Sequence, residues 1–242
     1  MKIEPNISTA VITARGGSKS IPLKNIVKVC GKPLIEYSFH ALKKANFVNR
    51  IICSTDSEKI ANVCKKNKIE VIERPAHLSG DLVNSTDVII DVVNTLYKTE
   101  KIAPEIVLLI QPTSLFVTSL HIDQAINVLI KNPDAKSSQT VVKVPHQFHA
   151  YNQRIMSQDS KDIDFAFWEE RRKCHNKQTK PTFYTYGNLI VTRTIPLLEE
   201  KMLFARPSIP IEIPFYYSYD LDIQEDIALA ELMIKNKLIE VQ

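Results

Sequence analysis

The stretch "EIVLLIQP" at residues 105–112 is an almost unbroken apolar run that ends in a glutamine and a proline. A run of isoleucine, valine and leucine without polar alternation is typical of a central strand that is buried on both faces. It therefore predicts a sheet with a packed layer on each side, and the segments on either side of it indicate how that sheet is completed.

Short β-branched runs alternate with amphipathic stretches along most of the chain. Strands are also predicted at residues 8–14, 50–55, 69–73, 137–144 and 187–193. Helices are predicted at residues 32–45, 57–67, 87–98, 119–132 and 223–238. Ser85 or Thr86 is expected to cap the third helix, with Asp87 near its positive end. This order argues for a Rossmann-like three-layer α/β/α fold with a mostly parallel sheet.

The segment at residues 145–186 interrupts this pattern. It is polar, contains arginine, lysine and aromatic residues, and shows neither helical nor strand periodicity. About forty residues without a core pattern are unusual inside a compact domain. We therefore expect a core domain formed by residues 1–144 and 187–242, with residues 145–186 inserted as an extension that packs on a partner such as a second subunit.

Composition excludes several classes of function. The 242 residues carry a net charge of only +4, too small and dispersed for a nucleic-acid-binding surface. The chain has no apolar run of the roughly 18 residues that span a bilayer and no signal-peptide pattern at its start. Its four cysteines form no CxxC pair. A cytoplasmic protein that binds neither nucleic acid nor membrane is therefore expected.

Polar motifs follow four predicted strands. "ARGGSKSIPLKN" (14–25), "STDS" (54–57), "ERPAHLSGD" (73–81) and "QPTS" (111–114) each begin near a strand end. Ligands of open parallel sheets bind at the carboxyl ends of the strands. The four motifs are thus expected to converge on one site.

The first of these motifs suits a polyphosphate. Its two adjacent glycines permit positive φ and let backbone N–H groups turn toward an anion. Arg15, Lys19 and Lys24 supply positive charge. The spacing matches neither a Walker loop nor GxGxxG. The alternative from these residues alone is a basic surface turn.

A second constellation is "YSYDLDIQED" at residues 217–226. Asp220 and Asp222 alternate on an extended segment, so both carboxylates are expected to project to one side. Such a pair is a hard-oxygen site for Mg²⁺ bridging protein to phosphate. The alternative is that these acids only cap the last helix, where Asp226 is expected in the first turn. Together with the cationic loop, the pair favours a metal-bound nucleoside triphosphate.

The loop at residues 14–25 resembles the signature of the cytidylyltransferases that activate 3-deoxy-2-ulosonic acids, above all the CMP-sialic acid (nonulosonic acid) synthetases. That signature reads A-R-G-G-S-K-x-I-P-x-K-N, and the chain matches it at every defined position. "STDS", "ERPAHLSGD", "LLIQPTS" and "DLDIQEDIALAE" resemble further family motifs in the same order, so the resemblance covers essentially the whole chain.

The resemblance implies that CTP and a nonulosonic acid are the substrates, that Mg²⁺ is the cofactor, and that the protein is a homodimer. The catalytic residues that it implies are Arg15, Lys19 and Asp222. The nucleotide-binding residues that it implies are Ala14, Arg15, Gly16, Gly17, Ser18, Lys24, Asn25, Arg74 and Ser85. The sugar-acid contacts that it implies are Gln111, Lys177 and Tyr184. The metal ligands that it implies are Asp220 and Asp222. The extension at 145–186 would be a dimerisation element reaching over the neighbouring active site.

The chain departs from the family pattern at three places. Leu115, Phe116 and Val117 replace P-L-R after Q-P-T-S, Tyr186-Gly187-Asn188 replaces N-G, and Lys177 stands where arginine is common. All three are expected to lie near the sugar acid or the partner subunit and to leave the nucleotide chemistry unchanged.

The resemblance thus implies an enzyme that uses CTP to activate N-acetylneuraminic acid or a bacterial analogue such as legionaminic acid. The alternatives are a CMP-pseudaminic acid or CMP-Kdo synthetase, or a non-catalytic nucleotide-binding module.

Overall fold

The computed structural model describes residues 1–240 of the chain. Its strands are β1 (Ile3–Thr13), β2 (Lys28–Val29), β3 (Lys32–Pro33), β4 (Arg50–Thr55), β5 (Glu70–Glu73), β6 (Ala103–Ile110), β7 (Ser137–Lys143), β8 (Arg154–Met156), β9 (Ile163–Phe165), β10 (Tyr184–Arg193) and β11 (Ser208–Glu212). Its α-helices are α1 (Leu34–Lys44), α2 (Glu58–Lys66), α3 (Ser85–Glu100), α4 (Ser119–Lys131), α5 (Trp168–Lys173), α6 (Thr194–Glu200) and α7 (Gln224–Lys235).

Seven strands form the central sheet in the order β11, β7, β10, β6, β1, β4, β5. Neighbouring strands pair in parallel, except that β10 runs antiparallel to both β6 and β7. From β1 the chain proceeds outward through β4 and β5, and then crosses to β6 on the other side of β1. The carboxyl ends of β1 and β6 therefore flank the switch point at which such sheets bind ligands.

The central strand β6 is buried on both faces, as the apolar run predicts. Leu108 and Ile110 pack with α1 and α4 on one face, and Val107 and Leu109 pack with α3 and α6 on the other. The three-layer α/β/α fold with a mostly parallel sheet is thereby confirmed. None of the helices within residues 1–240 combines the length and apolar composition that a bilayer crossing demands.

The inserted segment differs from the core in its burial. Residues 145–186 contain short 3₁₀ turns, the β8–β9 hairpin and α5, and within this range only His149 is buried. The core strand β10 resumes at Tyr184, three residues before the predicted start at 187. The absence of a core pattern is explained by short, exposed elements, while a role in dimerisation stays a prediction.

Candidate active site

A cleft of about 280 Å³ opens at the carboxyl ends of β1 and β6. Its lining residues are Thr13, Arg15, Lys24, Asn25, Arg74, Leu78, Gly80, Asp81, Val83, Ser85, Val88, Gln111, Pro112, Thr113, Asp220 and Asp222. Each of the four polar motifs, from 14–25 to 111–114, either lines this cleft or contacts residues that line it. The acidic pair lines it as well. The expected convergence of the motifs on one site is thus seen in the fold.

The first loop is fixed by hydrogen bonds to its neighbours. The Ala14 N–H donates to the Ser54 carbonyl at 3.1 Å, so Ala14 continues the sheet and packs in the core. The Gly16 N–H donates to Asp56 Oδ1 at 2.7 Å. The side-chain amide of Asn25 donates to the Arg15 carbonyl at 2.9 Å. These hydrogen bonds within the protein therefore fix the shape of the loop without a ligand.

The two glycines of this loop differ in their surroundings. Among residues 1–240 the glycine with positive φ is Gly31, at 78°, so Gly16 and Gly17 do not use the positive φ that glycine permits. Gly16 is required by close approach instead, because a Cβ there would lie 2.9 Å from Ser57 Cβ. A Cβ on Gly17 would meet nothing within 4 Å. Ser18, whose N–H donates to the Gly16 carbonyl, completes the turn without lining the cleft.

Two cations of the loop converge on one carboxylate. Arg15 Nη1 lies 2.5 Å from Asp81 Oδ1, and Lys19 Nζ lies 2.6 Å from Asp81 Oδ2. Hydrogen bonds from Lys19 and then Arg15 hold the pKa of Asp81 below its usual value. Lys19 does not itself line the cleft, but it reaches the cleft wall through Asp81. Asp81 is the last residue of the motif at 73–81, and the sequence pattern does not indicate its role.

Another part of the lining combines a buried guanidinium with apolar side chains. Arg74 donates from Nη2 to the Ser54 carbonyl at 2.7 Å and from Nε to Ser54 Oγ at 3.2 Å. Burial lowers the pKa of Arg74. The ordinary pKa of arginine lies so far above neutral pH that the guanidinium stays charged. Val83 and Val88 are apolar residues of the same lining.

The start of α3 also lines the cleft. Ser85 is its first residue and lines the cleft. The expectation that Ser85 or Thr86 caps the helix is wrong, because the Asn84 side chain accepts the Thr86 N–H at 2.9 Å. The Ser85 hydroxyl is therefore not engaged as the helix cap.

The acidic pair faces the cleft, as the alternation predicts. Ser114 Oγ donates to Asp220 at 3.1 Å, and Lys24 Nζ lies 3.1 Å from Asp222 Oδ1. The pKa of Asp220 is raised, mainly because surrounding protein removes hydration and further because of the Asp222 charge. Lys24 also donates to the Leu221 carbonyl at 3.0 Å and so ties the first loop to the acidic segment.

Asp226 holds the acidic segment in place. Its carboxylate accepts the backbone N–H groups of Asp222 at 2.7 Å and Ile223 at 2.8 Å, and the Tyr219 hydroxyl at 2.7 Å. Burial would raise its pKa, but these hydrogen bonds outweigh burial and the pKa is lowered. Asp226 thus caps the last helix, which leaves Asp220 and Asp222 free to face the cleft.

The donor set fits Mg²⁺ bridging to phosphate. Within residues 1–240 no group of three or more His, Cys, Asp and Glu side chains is placed to hold a metal by itself. Mg²⁺ is commonly bound by one or two carboxylates together with substrate phosphates and water. Asp220 and Asp222 at the edge of a cationic cleft match that mode.

The family departures after Q-P-T-S do not touch the cleft. Leu115 and Phe116 are fully buried with Leu34 and Leu221, and Val117 packs beneath α1 and α4. These three residues belong to the core and do not line the cleft. The expectation that they lie near the sugar acid or the partner subunit stays a prediction.

The departure at Tyr186-Gly187-Asn188 shapes the backbone beside the cleft. A Cβ on Gly187 would lie 2.6 Å from Thr140 Oγ1, so this position needs glycine. Asn188 donates to the Tyr217 carbonyl at 2.9 Å, in the turn that leads to Asp220. The pKa of Tyr186 is raised by loss of hydration in its partly enclosed position and by the charge of Asp220.

Lys177 and Tyr184 are not brought to the cleft by one chain. Lys177 lies in an exposed 3₁₀ turn of the extension. Tyr184 lies at the exposed start of β10, where a hydrogen bond to Glu212 raises its pKa. Their contact with a sugar acid stays a prediction. Gln111, in contrast, follows β6 directly and lines the cleft.

The fold and this cleft define a nucleotide-binding α/β protein, with cations and a carboxylate pair placed at the switch point of the sheet. Residues 9–237 match the sequence model of the family described as cytidylyltransferase. The chain therefore belongs to the cytidylyltransferase family and is a nucleotidyltransferase.

Relatives cover nearly the whole chain. A pseudaminic acid cytidylyltransferase of Campylobacter jejuni is 26% identical, over 93% of this chain and 95% of that one. A CMP-N,N'-diacetyllegionaminic acid synthase of Legionella pneumophila is 30% identical, over 93% and 95%. An N-acylneuraminate cytidylyltransferase of Streptococcus agalactiae is 26% identical over 89% of this chain, which spans 50% of that longer protein.

A solved structure supports the fold independently. The CMP:2-keto-3-deoxy-manno-octonic acid synthetase complexed with CTP superposes with a TM-score of 0.68, over 96% of this chain and 99% of that one. Its sequence identity is 13%, so this likeness concerns the architecture alone.

Proposed function

We propose that the protein transfers CMP from CTP to a nonulosonic acid and releases pyrophosphate. The observation that carries this proposal is the cleft in which Arg15, Lys24 and the Asp220–Asp222 pair meet at the switch point. In this reaction the anomeric hydroxyl oxygen of the sugar acid bonds to the α-phosphorus of CTP. The bond from that phosphorus to the bridging oxygen of the β-phosphate breaks, and the hydroxyl proton is released.

Charge neutralisation is the main catalytic demand of such a displacement. Arg15 and Lys19 would offset negative charge on the phosphoryl oxygens, and the ion pair of Lys24 with Asp222 joins the first loop to the acidic pair. Asp220 and Asp222 would hold Mg²⁺, which when bound supplies further positive charge to the phosphates. Arg74 and Ser85 lie on the wall proposed for the cytosine.

The names of the relatives support a nonulosonic acid as the acceptor. We favour N-acetylneuraminic acid or an analogue such as legionaminic acid, and the Legionella relative, at 30% identity, supports the latter. The Campylobacter relative makes pseudaminic acid the first alternative. A non-catalytic nucleotide-binding module is disfavoured, because Lys19 and both carboxylates of the acidic pair are retained.

A homodimer is part of the proposal. The extension exposes Ile155, Met156 and Ile163, each more than half accessible, on one small hairpin. Exposed apolar side chains clustered in this way are typical of protein interfaces. A partner's extension is the proposed route by which Lys177 reaches a sugar acid.

The test is release of pyrophosphate from CTP and Mg²⁺ with N-acetylneuraminic, legionaminic, pseudaminic and Kdo acceptors assayed separately. We expect release with at least one nonulosonic acid and little with Kdo. Absence of pyrophosphate release with every nonulosonic acid would overturn the proposed reaction.

Asp222→Asn tests the metal assignment in the same assay. The variant should need a higher Mg²⁺ concentration for half-maximal release, since it offers one charged ligand fewer. Glu225→Gln is the matched control, because Glu225 lies in the first turn of α7 outside the cleft lining. An identical Mg²⁺ titration for Asp222→Asn and wild type would remove Asp222 from the metal site.

A further inference from the structure

The carboxylate of Asp81 has a position that the proposed reaction does not explain. Its two oxygens each contact a different cation of the first loop, Arg15 at 2.5 Å and Lys19 at 2.6 Å. These are the groups that the proposed function assigns to phosphate oxygens. A carboxylate and a phosphate present similar pairs of anionic oxygens to such donors.

The ion pairs of Asp81 with Arg15 and Lys19 are exposed and contribute little to the stability of the fold. The Lys19 side chain is 85% exposed and the Asp81 side chain is 36% exposed. Ion pairs with this degree of exposure contribute little to stability. The arrangement therefore costs little to break.

The loop that carries Asp81 is also weakly held. It spans residues 79–84, between the 3₁₀ turn Ala76–Leu78 and α3. Leu82 next to Asp81 is fully exposed, and the Val83 N–H donates to the Gly80 carbonyl at the long distance of 3.4 Å. Few contacts would oppose a displacement of the Asp81 side chain.

We propose that Asp81 competes with the phosphates of CTP for Arg15 and Lys19, and so sets the affinity of the cleft for polyphosphate. A triphosphate carries several negative charges and displaces a single carboxylate from two cations. A lone monoanion competes with Asp81 on nearly equal terms and gains little. The carboxylate thus favours polyphosphate ligands over small anions while lowering the affinity for both.

This inference rests on the proposed function for the identity of CTP, but its probe does not require turnover. Inorganic pyrophosphate, CTP and cytidine are titrated separately by calorimetry, without divalent metal, into wild-type protein and Asp81→Asn. Asp81→Asn should bind pyrophosphate and CTP on the order of tenfold more tightly, from the release of two exposed ion pairs. Cytidine, which lacks phosphate, should bind both proteins equally.

Two further variants make the result specific. Asp81→Glu keeps the charge and should bind pyrophosphate much as wild type does. Glu58→Gln removes one negative charge at the start of α2, in the neighbouring cleft beside Asp56, and should not change pyrophosphate affinity. Equal tightening by Glu58→Gln would mean a general charge effect and would overturn the inference.

Pyrophosphate binding to Asp81→Asn that is no tighter than wild type would also overturn it, as would weaker binding, which would make Asp81 a positioning residue. Failure of the proposed function has a different signature. In that case no sugar acid elicits pyrophosphate release, while the ratio of pyrophosphate affinities still decides the role of Asp81.

Discussion

The cleft and the extension present similar residue types in opposite ways. In the cleft, the loop carrying Arg15 is fixed to β4, Asn25 and Asp56, so its cations are placed by a single chain. In the extension, Lys177 and the apolar residues of the β8–β9 hairpin lie exposed on the surface. A site built on the strand ends of a packed sheet is organised within one chain, whereas the role proposed for the extension requires a second copy of the chain.

Lys19 and Lys177 give the largest contrast between the two regions. Lys19→Ala should lower turnover about 10²- to 10³-fold with every active acceptor, because a charge partner of the phosphoryl oxygens is lost. Lys177→Ala should mainly raise the KM for the sugar acid, since its proposed contact is with the acceptor alone. Steady-state kinetics with CTP and acceptor varied in turn separate the two effects.

Lys28→Ala controls for the loss of one positive charge, because Lys28 is an exposed residue of β2 outside the cleft lining. Near-wild-type turnover of Lys19→Ala would break the assignment of the first loop. A purely kcat effect in Lys177→Ala, with an unchanged KM for the acceptor, would break the proposed role of the extension.

One histidine in the core and one in the extension should differ in their effect on the pH dependence of stability. His121, near the start of α4, is buried against Asn188 and Tyr217, and this burial lowers its pKa to about 4 from an ordinary value of 6.5. Below pH 6.5 the unfolded chain binds a proton that folded His121 refuses, so stability present above pH 6.5 is lost as the pH falls toward 4. The loss amounts to about 3 kcal/mol over that window.

Urea unfolding of wild type and His121→Gln at pH 7, 6 and 5 measures this dependence. The substitution should flatten the decline, whatever its effect on stability at pH 7. His146→Gln is the control from the extension, where His146 is exposed and its pKa is lowered by slight desolvation and by Lys180 and Lys177. Parallel curves for wild type and His121→Gln would contradict the buried neutral state.

The sequence predicts those parts of the molecule whose neighbours in space follow from local pattern. The strand at 50–55 is recovered with its observed bounds, and the run at 105–112 is displaced from β6 by only two residues. The strand β11 escaped prediction because "SIPIE" contains a proline and has only five residues. It pairs at the sheet edge, where proline is tolerated.

The candidate site divides in the same way. Its cations and acidic pair stand in motifs that the sequence makes visible. The contacts of Asp81 and Asp226 do not follow from the sequence, because loop geometry rather than spacing along the chain determines their partners. The burial of Phe116 likewise follows from packing against α7, which is distant in sequence.

The smallest expected effect separates the two adjacent glycines. Gly16→Ala should destabilise the fold by about 1–2 kcal/mol, because its Cβ would lie 2.9 Å from Ser57 Cβ. Gly17→Ala should leave the free energy of unfolding unchanged or raise it slightly, since its Cβ meets nothing within 4 Å and φ is not positive. Urea unfolding of both variants measures this difference directly.

The two glycines should also differ in their effect on the affinity for CTP. If Gly17 is retained to let CTP phosphates approach the backbone, Gly17→Ala should weaken CTP binding several-fold while the protein stays fully folded. Cytidine affinity is the internal control and should not change in Gly17→Ala. A Gly17→Ala variant with wild-type stability and wild-type CTP affinity would show that only Gly16 is constrained. The glycine pair would then be explained by packing against Ser57 rather than by phosphate.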